Sequence, residues 1–137
     1  MLVAREVLND VVWVAVAVGS ALGGVARYGL TEGVARLVGG GFPLGTLLVN
    51  VLGSAAIGAS AAAIAHGYPV SWSATVRHGF VTGVLGGFTT FSALSMQTLA
   101  LLQEGQIGPA VANVVLSVVL GLAACWAGFA GVSGLVR

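Results

Sequence analysis

Residues 11–26, 37–65 and 79–103 contain no charged side chain, and a further apolar run follows to about residue 129. A helix crosses the hydrocarbon core with about 20 apolar residues, and there its backbone groups must be satisfied internally. Such runs leave the fold little choice. The chain is expected to be an all-α integral membrane protein, one domain of four transmembrane helices over residues 11–30, 43–65, 79–102 and 109–130.

Composition agrees. Of 137 residues, 58% are hydrophobic and 7% are charged, against about 25% charged in soluble domains. Mean hydropathy is +1.05. At ~20 residues per span the length is filled by the four helices, so no soluble or catalytic domain is expected. The net charge of +1, from five arginines and four acids, implies no nucleic-acid partner. Ala15-Val16-Ala17 imitates a signal-peptide cleavage site. Glu6 and Asp10 beside Arg5, and the apolar run continuing past the site, favour a retained first span instead. The single Cys125 lies in an apolar run and reads as a small buried hydrophobe.

Gly19 and Gly23 in the first span are four apart, spacing that lets helices approach closely. Trp13 and Tyr28 suit the headgroup level. Arg27, closing the segment, is either a snorkelling anchor or the positive vestibule of an anion path. A short polar connection containing Glu32 is expected up to Arg36, then the flexible Gly39-Gly40-Gly41. The second span starts near Pro43. Along it Thr46, Asn50, Ser54, Gly58 and Ala62 form one polar and small stripe. A buried amide in hydrocarbon needs a partner, so Asn50 faces protein or water, as interhelical glue or as a pathway group.

His66 to His78 is the next connection, with Pro69, Ser71, Trp72 and Arg77. Neither histidine has a Cys or carboxylate companion in the loop, so both read as solvated rather than metal-binding. In the third span Gly79, Gly83 and Gly87 form a close-packing face. Gly86-Gly87 then joins Phe88-Thr89-Thr90-Phe91-Ser92, poor helix formers followed by β-branched and hydroxyl residues. A helix break is expected here, and non-helical backbone at membrane depth survives only around protein or a water-lined path. The fourth span carries a second stripe, Asn113, Ser117 and Gly121.

With four alternating spans, Arg5, Arg77 and Arg137 share one side and Arg27 and Arg36 the other. Orientation follows the Lys/Arg excess of cytoplasmic loops, so this near tie predicts insertion both ways and an antiparallel, dual-topology dimer.

Three motifs in order, Gly23-Gly24-Val25-Ala26-Arg27-Tyr28, Pro43 through Ser54, and Gly86-Gly87-Phe88-Thr89-Thr90-Phe91-Ser92, resemble the small fluoride channels of the CrcB, or Fluc, type. The resemblance covers nearly the whole chain. It implies a homodimer with two fluoride pathways and a structural sodium ion (Na+) where the broken third helices cross. The sodium ligands would be the backbone carbonyls of Gly86 and Thr89. Asn50 and Phe91 would line the fluoride pathway, with Thr90, Ser117 and Thr46 as hydroxyl candidates and Arg27 in the vestibule. The implied activity is passive, fluoride-specific export across the plasma membrane, with no enzymatic step.

Two departures stand out. Phe91-Ser92-Ala93-Leu94 lacks the family's usual second phenylalanine, and Asn113 stands where a tyrosine is common. A heterodimer with a second, unequal family member is therefore an alternative, as is a non-transporting helical assembly subunit. No span carries an Asp or Glu, which argues against a proton-coupled antiporter.

Overall fold

The computed structural model describes residues 2–67 and 72–135, with side-chain surroundings from Asp10 onward. Arg137, Pro69 and Ser71 lie outside the described residues, as do the side chains of Arg5 and Glu6. The described chain is helical in α1 (Leu2–Val38), α2 (Leu44–Ala65), α3 (Ala74–Arg77), α4 (Gly86–Phe88), α5 (Phe91–Gln103) and α6 (Ile107–Leu135). A π-helical segment, His78–Leu85, joins α3 to α4. Four stretches, Asp10–Val38, Leu44–Ala65, Ala74–Gln103 and Ile107–Leu135, are long and apolar enough to cross a membrane. This is a multi-pass membrane protein.

The first helix outruns its expected end. No connection opens after Tyr28; α1 continues through Glu32 and Arg36 to Val38. Leu30, Glu32, Ala35 and Arg36 are all good helix formers, and nothing in this stretch removes a backbone donor. The stop comes at Gly39, whose φ of +78° is left-handed and whose N–H closes the last turn on the Ala35 carbonyl at 3.0 Å.

The two glycine faces meet each other. A Cβ added at Gly83 would lie 2.9 Å from the Val16 carbonyl oxygen, and one at Gly87 would lie 2.5 Å from that of Ser20. From the other side, a Cβ at Gly19 or Gly23 would strike the carbonyls of Gly79 and Val84. Helix α1 and the segment ahead of the break therefore touch backbone to backbone. This is the small-residue packing that drives association in lipid, where no hydrophobic force separates helices from acyl chains. It coincides with the π-helical stretch, a widening that the sequence alone did not predict.

Helix α2 packs most extensively on α6. Gly58 is seated against the Cys125 carbonyl and Gly128 against that of Ala55, so Cys125 meets its neighbour through its backbone and its thiol is free. The predicted stripes turn inward. Thr46, Gly58 and Ala62 are buried on α2, as are Asn113, Ser117 and Gly121 on α6. The stripes face each other, since a Cβ at Gly121 would lie 3.5 Å from Ser54 Oγ. Trp13, Tyr28, Phe91 and Trp126 point outward.

Candidate functional site

The third span breaks inside the expected Gly86 to Ser92 stretch, at Thr89 and Thr90. Gly86 is helical, with φ −66° and ψ −37°, whereas Thr89 (φ −76°, ψ 156°) and Thr90 (φ −154°, ψ 115°) are extended. The cause is long-range. Asn50 Oδ1 accepts from the Thr90 N–H at 2.8 Å, and Asn50 Nδ2 donates to the Thr90 carbonyl at 3.1 Å. One amide side chain thus satisfies both backbone groups of the residue that leaves the helix. Thr89 closes α4, with its N–H and its hydroxyl both donating to the Leu85 carbonyl, at 3.0 and 3.1 Å. Thr90 opens α5 as its N-cap, its hydroxyl accepting from the Ala93 N–H at 3.2 Å.

Beside the break lies a cavity of about 290 Å³ lined by Asn50, Ser54, Thr89, Thr90, Phe91, Leu94 and Ser117, among others. Four of the predicted pathway residues, Asn50, Thr90, Phe91 and Ser117, are brought together here. Phe91 is 79% exposed on the outer side, while the buried Ser117 hydroxyl has no partner among the described residues. Thr46 is elsewhere. It is 2% exposed and lines a separate cavity of about 300 Å³ with Thr31, Gln97 and Glu104. Gly86 and Arg27 are not among this cavity's walls; Arg27 instead reaches the break from α1, its Nη1 lying 3.4 Å from the Thr89 carbonyl oxygen.

Ser54 also lines the cavity beside the break without being a sequence candidate for it. Ser54 was visible in the α2 stripe, one turn beyond Asn50. Thr98 emerges only in three dimensions. It donates to the Leu94 carbonyl at 2.8 Å and accepts from Asn113 Nδ2 at 3.0 Å. That chain fixes the Asn113 amide and leaves its Oδ1 buried and unpartnered in a residue 0% exposed. Leu94 is 7% exposed and forms part of the cavity wall.

The break also offers oxygen ligands. In an unbroken helix the Thr90 N–H would bond the Gly86 carbonyl; here it bonds Asn50, which releases that oxygen. The space beside Gly86 is open, since a Cβ there would meet only the Val81 carbonyl oxygen, at 3.9 Å. Among the described residues no group of three or more His, Cys, Asp and Glu could hold a metal. A hard monovalent cation taking backbone carbonyls fits this donor set, and a transition metal does not.

Comparison with known proteins is consistent across the chain. A family model described as "CrcB-like protein, Camphor Resistance (CrcB)" matches residues 14–129. A fluoride-specific ion channel FluC of Opitutus terrae is 51% identical over 120 residues, covering 88% of this chain and 91% of the relative. One from Rhodospirillum rubrum is 48% identical over 116 residues, 85% of this chain and 90% of the relative. One from Thermus thermophilus is 46% identical over 114 residues, 83% and 87%. Match and relatives both run through all four spans, and the chain belongs to the CrcB family.

Proposed function

We propose that this protein is a fluoride-specific channel, not an enzyme, working as an antiparallel dual-topology homodimer in the plasma membrane. The observation that carries the reading is the convergence of Asn50, Thr90, Phe91 and Ser117 on one cavity beside the helix break. Relatives at 46–51% identity carry the name of a fluoride-specific channel.

Fluoride entering such a cavity gives up hydration, and neutral donors can replace part of it without trapping the ion. The Asn50 amide has a second N–H beyond the one given to Thr90, and its orientation is fixed by the two Thr90 bonds. The Ser117 hydroxyl has its proton free of any protein acceptor among the described residues. The Phe91 ring offers the positive edge of its quadrupole. No carboxylate lines this cavity.

A partner subunit explains the outward ring. Phe91, at 79% exposure, would be covered by a second copy packed on the break, and each subunit would then contribute to two pathways. At the crossing, the Gly86 and Thr89 carbonyls of the two subunits would hold a sodium ion, which when bound supplies fixed positive charge at the dimer centre. The buried Leu94 allows an unequal heterodimer as a second reading, because the cavity wall at that position carries no aromatic edge.

Phe91→Ile tests the pathway. Its side chain makes little contact within the subunit, so the subunit fold should be unchanged, and efflux is compared at equal dimer content. Fluoride efflux from liposomes should fall by up to about tenfold, the loss of one aromatic contact of about 0.5–1.5 kcal/mol. Wild-type efflux from the variant would remove Phe91 from the pathway.

A further inference from the structure

We infer that Arg27 is a positioning residue for the central cation: its guanidinium holds the Thr89 carbonyl in each subunit and opposes, by its charge, a monovalent cation bound to the same oxygen. The inference rests on the proposed Gly86 and Thr89 cation site and adds to it a residue that sets its affinity.

The placement is not accidental. Gly23 sits against the Val84 carbonyl and the Phe88 amide, and Gly87 against Ser20, so the backbones of α1 and α4 are locked together immediately before the break. Arg27, one turn beyond Gly23, is thereby delivered to the first extended residue. Its own carbonyl accepts from the Thr31 hydroxyl at 3.0 Å, which ties the turn that carries it. The guanidinium lies 3.4 Å from the Thr89 oxygen, long for an N–H···O bond.

That distance suits a contact that shares its acceptor. A carbonyl oxygen has two lone pairs, so Arg27 and a cation can occupy one oxygen together. Their charges are then only a few ångströms apart at membrane depth, where repulsion is weakly screened. In a subunit without its partner the balance reverses. Arg27 supplies the hydrogen bond that the Thr89 carbonyl would otherwise lack in hydrocarbon.

Thermal unfolding of the purified chain in detergent tests this. Sodium chloride is titrated against N-methyl-D-glucamine chloride at constant ionic strength, for wild type, Arg27→Lys and Arg27→Gln. Wild type should be protected by sodium. Arg27→Gln, keeping a donor without charge, should lower the half-protecting sodium concentration by about tenfold, and Arg27→Lys should stay near wild type. An unchanged or raised midpoint in Arg27→Gln, with wild type still protected, overturns the inference and leaves the cation site standing. Absence of sodium protection in wild type overturns both. Arg27→Met gives a control for packing: in sodium-free buffer it should unfold below wild type, and an equal midpoint there would mean that the Thr89 contact holds nothing.

Discussion

Asn50→Ala is expected to lower stability and abolish fluoride efflux together. Thr90 is 8% exposed, and its N–H and carbonyl bond the Asn50 side chain at 2.8 and 3.1 Å. Alanine leaves both buried groups unsatisfied, at about 1–3 kcal/mol each, so the expected loss is about 2–6 kcal/mol. Against a typical total of about 5–15 kcal/mol that is a large fraction. The thermal midpoint in detergent should fall clearly, and efflux should drop to the rate of empty liposomes. Asn50→Asp, as a carboxylate, keeps an acceptor for the Thr90 N–H but sets an oxygen against the Thr90 carbonyl and has no donor for an anion, so its midpoint should fall at least as far as that of Asn50→Ala while efflux stays lost. If Asn50→Ala unfolds like wild type and merely conducts more slowly, then the amide does not hold the break.

Adjacent glycines should behave in opposite ways. At Gly87 an added Cβ would lie 2.5 Å from the Ser20 carbonyl oxygen and 2.8 Å from its Cα, both backbone atoms that cannot move aside cheaply. Gly87→Val should therefore damage the subunit itself, by about 3 kcal/mol or more. At Gly86 the single subunit has room: among the described residues an added Cβ would meet the Val81 carbonyl oxygen alone within 4 Å, at 3.9 Å. Gly86→Val should leave the four-helix subunit helical and inserted, yet lose the dimer and its sodium protection, because the open side is where the partner and the cation are proposed to sit. Cross-linking yield and sodium-dependent unfolding measure this. A Gly86→Val protein with wild-type dimer content and sodium response would place the partner on another face.

The spans were legible because hydrocarbon excludes charge, and four long uncharged runs admit few other folds. Arg27 to Arg36 reads as the end of a span and a connection for the same reason turned round. Charged residues there suggested a connection, but helix propensity continued α1 until Gly39 turned left-handed. The break falls at Thr89 and Thr90, inside the Gly86 to Ser92 stretch where it is expected, but which two residues leave the helix depends on Asn50, forty residues upstream. Local propensity carries no trace of such a bond. Thr46 shares a stripe with Asn50 but not a cavity. One helical turn displaces it by about 6 Å along the axis, enough to separate it from the break. Asn113 was visible as a polar residue on a membrane helix; that its amide would be spent on Thr98, leaving one oxygen unpartnered, required α5 and α6 side by side.

The most direct measurement is ion efflux from liposomes containing the purified chain alone, recorded in parallel with fluoride and with chloride electrodes. The account predicts rapid fluoride loss while chloride leaves no faster than from protein-free vesicles. No fluoride efflux from a chain that is folded and dimeric, or equal efflux of the two ions, would contradict it.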